Sequence, residues 1–503
     1  MTLHDIYLLS PELSLAAIAM ALILLDLVVS RKSLLAAFGA LGLIVPVILS
    51  VILWIDLDNS SVSQMQGIFG TLVVDKFSLF FKFLLSIAAA LVILMSAGYV
   101  QRIRNFQGEF YGLVLLSTSG MMLLASATEL ISIYVALELT ALPSAALAAF
   151  LRDGKSAESG MKFLILSAIS SAVILYGMVY IYGFTGTTSL EGIASQIERL
   201  ISYGVLDPQA AFGDNKALLF GVILLIAGFG FKISSVPFQF WAPDVYEGAP
   251  TPITAFLSVA SKAAGFAVIL RLFYISFPFE AFSENWAAIF AILSIVSMTF
   301  GNLVAIRQNN IKRMLAYSTI AHAGYVMVGL AAFAARAQSG SMDAGPSAVL
   351  FYLGGYVATN LLVFGAVIAV SNKIDSDEID DYAGMARRAP LIAAAMAFAM
   401  ISLTGIPPTI GFMSKVYLFG AAVNANLEWL AVAGMVNSVI SAYYYLRVVK
   451  VMYLRDPAED KPVVADAATG VALTATAAAT FIFGVYPTPL IDLARSAVSV
   501  LGV

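Results

Sequence analysis

Six ionisable side chains lie in apolar surroundings: Glu138 in YVALELTALP, Lys162 in SGMKFLILSA, Lys232 in GFGFKISSVPF, Lys262 in SVASKAAGFAV, His322 in YSTIAHAGY and Lys415 in GFMSKVYLFG. A cation in hydrocarbon costs roughly 2.5 kcal/mol or more on insertion scales, so such residues are rare in membrane segments and tend to mark ion or proton pathways. Burial lowers a lysine pKa and raises a glutamate pKa, and an opposite charge nearby reverses both. A chain of groups tuned in this way can pass protons near neutral pH. Glu138 is the expected counter-ion of Lys232. Lys262 lies too deep in its segment to snorkel easily, whereas Lys162 is near enough to an end to do so. His322 has the chemistry of a proton shuttle.

Two of the lysines stand beside prolines. Pro237 follows Lys232 in KISSVPFQFW, and Pro407 and Pro408 precede Lys415 in TGIPPTIGFMSK. Proline donates no backbone hydrogen bond and clashes with the preceding turn, so both segments should break there. Ser234 and Ser235 can satisfy some of the freed carbonyls, and the exposed backbone calls for a wet cavity. Broken apolar helices in corresponding places of two halves point to an inverted-repeat transporter core. A shift of 180 residues lays LASATELISIYVALELTALPSAA beside VAIRQNNIKRMLAYSTIAHAGYV, with Glu138 opposite Ser318.

The elements that position these groups follow from composition. Of 503 residues, 60% are hydrophobic and 12% charged, about half the charge of a soluble domain. Apolar runs of spanning length recur from end to end. The expected fold is all-α and polytopic, with about fourteen transmembrane helices and two inverted five-helix repeats containing discontinuous helices. The expected spans are 8–30, 34–55, 76–99, 108–126, 129–150, 158–184, 217–242, 251–275, 285–305, 309–333, 347–371, 389–419, 428–452 and 468–489. They group as three N-terminal helices in 1–105, a first repeat in 106–280, a second in 281–455 and a last helix in 456–503. With the N-terminus outside, sixteen of the 27 Lys and Arg, from Arg31 to Lys461, fall in inside loops. Six (Lys76, Arg199, Lys216, Arg271, Arg336 and Arg495) fall outside, a split that fits the positive-inside rule and an even number of spans. Lys76 and Lys82 are expected to snorkel from the third span. The segments 185–216 and 372–388, the latter with an acidic cluster, are expected to be solvated loops.

The chain has no cysteine, which excludes thiolate-bound iron–sulfur clusters, disulfides and cysteine zinc sites within it. Its two histidines, His4 and His322, would both be needed for a bis-histidine haem, and His4 lies outside the first apolar run. GFGFK at 228–232 lacks the third glycine and the βαβ setting of a dinucleotide fingerprint. No Walker motif or metal-spaced His/Glu pair occurs.

The block FKISSVPFQFWAPDVYEGAPTPITAFLSVASKAAGFAVILRLF closely resembles the signature of the antiporter-like membrane subunits of respiratory complex I. Within that group the chain is most similar to subunit N of bacterial NADH–quinone oxidoreductase. PELSLAAIAMALILLDL, ALELTALPSAALAAF, KRMLAYSTIAHAGY and LTGIPPTIGFMSKVYLF extend the resemblance over nearly the whole sequence. It implies that Glu138, Lys162, Lys232, Lys262 and Lys415 are the functional residues. A lysine at 415 fits subunit N, where subunit M would show glutamate. It implies a non-redox, proton-translocating subunit in the bacterial inner membrane, both termini on the periplasmic side. Its partners would be lipids, protons and other membrane subunits, with no nucleic acid. NADH, FMN, iron–sulfur clusters and quinone would belong to partner subunits, with no cofactor or metal here. Many relatives read VPFHLW where this chain has Gln239, which cannot titrate. The alternatives are a subunit of a multi-subunit cation/proton antiporter, a ferredoxin-linked relative of complex I, and a membrane scaffold for a partner enzyme.

Overall fold

The computed structural model describes residues 2–29, 32–60, 62–101, 106–206, 216–278, 280–332, 344–457 and 462–501. Among them, thirteen helices are long and apolar enough to cross a membrane, from Ser10–Val28 to Ala467–Val485. The twelfth expected span, 389–419, is instead two helices of 15 residues, Pro390–Thr404 and Ile410–Asn424. Each is about 22 Å long at 1.5 Å per residue, short of a hydrocarbon core of about 30 Å, so the two together form a discontinuous span. The fold is all-α and polytopic, with one short antiparallel hairpin, Gln64–Gly67 against Leu72–Asp75.

Helix starts are set by polar caps within apolar sequence. Asp75, Glu129, Asp153, Asn310 and Asp466 each accept the backbone N–H three residues on, satisfying an orphan donor of the first turn. The fourth and fifth spans are separate helices, Gln107–Ser126 and Leu130–Ala148, divided around Ala127 as expected. The most enclosed helices, Thr251–Ser276, Ile311–Ala331 and Ala344–Ile374, form the centre of the bundle.

One arrangement occurs twice. Glu129 caps the helix Leu130–Ala148 and bridges Ser189, with Leu130 and Leu190 amides bonded to the Thr188 and Thr128 carbonyls. Asn310 caps Ile311–Ala331 and bridges Glu378, with Ile311 and Ile379 amides bonded to the Asp377 and Asn309 carbonyls. In both halves the start of one helix is stapled to the segment that follows the next.

Several expectations change. The 185–216 segment contains an amphipathic helix, Leu190–Ser202, whose Leu190, Ile193 and Ile197 are buried. The 372–388 segment is anchored as well as solvated: Ile379 and Tyr382 are buried, Asp377 meets Lys312 and Asp380 meets Arg455. Lys82 does not snorkel. It is 1% exposed and paired at 2.8 Å with Glu12, itself 3% exposed, each near the start of its helix. Arg271 is not in an outside loop. Its Nη1 and Nη2 donate to Asp75 at 2.9 and 2.8 Å and its Nε to the Ala125 carbonyl, all buried. Lys312, expected in an inside loop, is buried and donates to the Ala249 carbonyl. Arg31, Arg102, Arg104, Arg336 and Lys461 lie outside the described residues.

Candidate proton-path residues at two helix breaks

The first break separates Lys216–Ile233 from Trp241–Gly248. In a continuous helix the Ile233 carbonyl would accept from the amide of residue 237, but that residue is proline and has none. The vacancy is filled from the next span. Lys262, at the start of Lys262–Ser276 just after a π-helical turn Leu257–Ser261, donates from Nζ to the Ile233 carbonyl at 2.8 Å. The approach is close because position 265 is glycine: a Cβ there would come within 2.9 Å of Ile233 Cγ2. Lys262 is 2% exposed. The break is held by Trp241 Nε1 on the Phe231 carbonyl and by the Val236 amide on Ser297 Oγ.

The second break repeats the geometry. The first half-helix ends with the Ser235 amide on the Gly230 carbonyl and the Ser234 amide on Phe231; the second ends with Ile406 on Ile401 and Gly405 on Ser402. Both are Schellman caps, with Ser234 (φ 59°) and Gly405 (φ 91°) in the left-handed region. Pro407 and Pro408 deny partners to the Leu403 and Thr404 carbonyls, and Lys415 Nζ donates to both, at 3.0 and 2.9 Å. Its amine also lies 4.8 Å from the centre of the Tyr325 ring. Lys415 is 5% exposed.

This register pairs Ser234 with Gly405 and Pro237 with Pro408, so Lys232 corresponds to Leu403 and not to Lys415. The structural counterpart of Lys415 is Lys262, since each fills the carbonyls that proline leaves unpaired. The signal was present in the sequence: a proline at i+4 names the orphaned carbonyl.

Lys232 is partly buried, and its Nζ donates to Ser167 Oγ at 2.8 Å. The expected direct pair with Glu138 is absent: Glu138 Oε1 is buried without a hydrogen bond, although Glu138 is the charge whose field reaches Lys232. The reason is packing. The helix of Lys232 lies directly on Gly154–Thr185, with Ser170 bonded to the Gly228 carbonyl and Gly177 against Gly221, so Ser167 is the nearer acceptor. Lys162 is 41% exposed and held by Glu158 at 2.7 Å and Asp244 at 2.8 Å; it sits at the mouth of the region and not within it.

His322 joins the second set. Its Nδ1 is 2.7 Å from Tyr352 Oη and its Nε2 3.1 Å from Tyr445 Oη, which also meets Ser318. A cavity of about 10 Å³, on the scale of one water, is lined by His322, Tyr352, Ser414 and Lys415. The fields of both Lys262 and Lys415 reach His322. Along Ala344–Ile374 a polar stripe connects these groups: Tyr352 to His322, Tyr356 to Thr319, Thr359 to Ser402 and Asn360 to Ser258, one turn before Lys262. Gln239 is buried, with its Oε1 unbonded among the described residues. The structure thus gathers Lys232, Lys262, His322 and Lys415 along the core, with Glu138 beside and Lys162 outside. The pair Glu12–Lys82 was missed by the sequence reading, although Glu12 in PELSLAAIAM is an acid at the head of an apolar run that asks for a partner.

Residues 127–441 match the family described as NADH:quinone oxidoreductase/Mrp antiporter, transmembrane. The chain is 43% identical over 493 residues to NADH-quinone oxidoreductase subunit N of Dehalococcoides mccartyi, covering 98% of this chain and 99% of that one. It is 45% identical over 431 residues to the subunit N of Moorella thermoacetica, covering 85% and 86%. Among solved structures, a chain of respiratory complex I from Thermus thermophilus with bound aureothin superposes with a TM-score of 0.75 at 31% identity, covering 96% and 99%. A chain of the Mrp complex from Dietzia superposes at 0.83 with 20% identity, a likeness of fold. By sequence along its whole length and by fold, the chain belongs to the subunit N family of NADH-quinone oxidoreductases.

Proposed function

We infer that this chain is a proton-translocating membrane subunit of a respiratory NADH–quinone oxidoreductase, and that Lys232, Lys262, His322 and Lys415 form its proton path. The observation behind this reading is the pair of helix breaks, each closed by the amine of a buried lysine, with a histidine and a cavity between them. An ammonium bound to backbone carbonyls can give up a proton and still donate a remaining N–H, so each lysine stays in place in both states. Protons enter near Lys162 and Lys232, pass Lys262 and leave through Lys415. Lys232 exchanges Ser167 for Glu138 as the switch, because an opposite charge retains its proton and separation from that charge pushes it on.

The chain itself does no redox chemistry in this reading. NADH, flavin, iron–sulfur clusters and quinone belong to partner subunits, and this chain packs beside other antiporter-like membrane subunits. The membrane is the bacterial inner membrane, with both termini on the outer side. Two inverted repeats, 106–280 and 281–455, flanked by 1–105 and 456–503, account for the twice-occurring staple and break.

The test is to tag the chain, solubilise the membranes gently, purify, and assay the particle for NADH–quinone reductase activity. Activity that co-purifies is the expected result. A stable particle without it, whose transport depends on sodium, assigns the chain to a cation/proton antiporter.

A further inference from the structure

Asp244 takes a cation from each half of the chain. Asp244, on the half-helix Trp241–Gly248, takes Lys162 Nζ on Oδ2 at 2.8 Å and Arg313 Nη1 on Oδ1 at 3.0 Å. Lys162 belongs to Gly154–Thr185 and Arg313 to Ile311–Ala331. Each cation has a second carboxylate: Glu158 at 2.7 Å for Lys162 and Glu247 at 2.8 Å for Arg313. Either can therefore release Asp244 without being left unpaired. The nearby charges are Lys155 on the helix of Lys162 and Lys312 beside Arg313, the latter bound to Asp377.

The backbone under Asp244 is fixed. Ser159 Oγ donates to the Asp244 carbonyl, and a Cβ at Gly248 would strike Ser159 and Lys155. Trp241 ties the other end of the half-helix to Phe231. The mobile partner is the Lys162 stem, four methylenes long and partly exposed. Ser167, which holds Lys232, lies five residues along the same helix, about 7.5 Å in rise.

We propose that Asp244 is the positioning residue of Lys162, holding its amine at the mouth of the path, and that Arg313 weakens this hold by sharing the carboxylate. The second half of the chain thereby sets how readily the first half takes up a proton carrier. This rests on the reading that protons enter the path near Lys162.

The test uses the assembled complex in membranes. Lys162 is labelled with a water-soluble amine-acylating reagent over a pH series and quantified by mass spectrometry, with exposed Lys373, on the same inner side in this topology, as internal reference. Asp244→Asn should raise Lys162 labelling several-fold at a given pH, and Arg313→Gln should lower it. Asp244→Glu should keep the wild-type profile. Shifts in the same direction, or none, would overturn the positioning role, since a purely structural clamp loosens the same way whichever partner is lost. Proton translocation, measured on the same vesicles, reports the other reading separately. Opposite labelling shifts with unchanged translocation would retain Asp244 as the holder of Lys162 and remove Lys162 from the entrance to the path.

Discussion

At the first break Lys262 reaches the Ile233 carbonyl from a neighbouring span, whereas at the second Lys415 reaches Leu403 and Thr404 from the half-helix that follows the same break. The first contact is tertiary and depends on two helices holding register; the second is local and forms within one discontinuous span. The number of bonds differs too. An ammonium has three donors. Lys262 spends one on its carbonyl and keeps two positions for exchange, so it can receive from one neighbour and pass to another. Lys415 spends two and keeps one, and the cavity it shares with His322 is on hand to receive that position. In the proposed path this difference would give two breaks with the same backbone turn different steps, the first passing protons through and the second exchanging them by a single door.

The largest expected effect is on the first break. Lys262→Ala should abolish translocation through this chain while NADH oxidation by the complex persists, read as a fall in the proton-to-electron ratio of membrane vesicles. An unchanged ratio would remove Lys262 from the path and leave the comparison without its first term. At the second break the effect on stability should dominate. Lys415→Ala leaves two buried carbonyls unpaired at about 1–3 kcal/mol each, against one carbonyl for Lys262→Ala, so its thermal midpoint in detergent should fall further. Equal falls would show that the break does not depend on the amine.

Two smaller changes separate the local contact from the tertiary one. Gly405→Ala places a Cβ 2.9 Å from Lys415 Cδ and forces an L-residue to φ 91°, a strain of roughly 1–2 kcal/mol; it should impair the second break alone. Gly265→Ala should move the helix of Lys262 away from Ile233 and impair the first alone, because its Cβ would meet Ile233 at 2.9 Å. Matched losses in both breaks from either change, seen by hydrogen exchange of the flanking half-helices, would refute their independence. The smallest effect should come from Gln239→His, which adds a titratable ring at a buried position beside the first break. It should alter the pH dependence of translocation near the imidazole range and leave stability nearly unchanged.

Spans and breaks were legible because they are local. Hydropathy marks a run of twenty residues, and proline marks the end of a turn, without reference to the rest of the chain. The family was legible for the same reason, since its signature is one continuous block around Lys232 and Lys262. Contacts across the bundle were not. Nothing near Lys262 in sequence names Ile233 as its partner, although Pro237 identifies that carbonyl as vacant. Lys232 was matched to Glu138 because opposite charges attract, yet the packing of two helices at Gly177 and Gly221 gives it Ser167. Lys82 stood near a helix end, where snorkelling is the ordinary outcome; only the neighbouring Glu12 turns it inward. The 180-residue shift aligned the halves only roughly, setting Glu138 opposite Ser318, whereas the caps at Ser234 and Gly405 show that Lys232 precedes its break and Lys415 follows its own.

The bidentate pair of Asp75 and Arg271 spans 196 residues of sequence, which makes it a statement about the order of assembly. Asp75 opens the third span and Arg271 lies in the eighth, so the acid is inserted long before its base emerges. Until then the Asp75 carboxylate has the Ser78 amide of its own helix start and lacks its buried cation. The pair is complete only once the span that carries Lys262 is in place, so the contact that closes the third span against the bundle depends on the eighth.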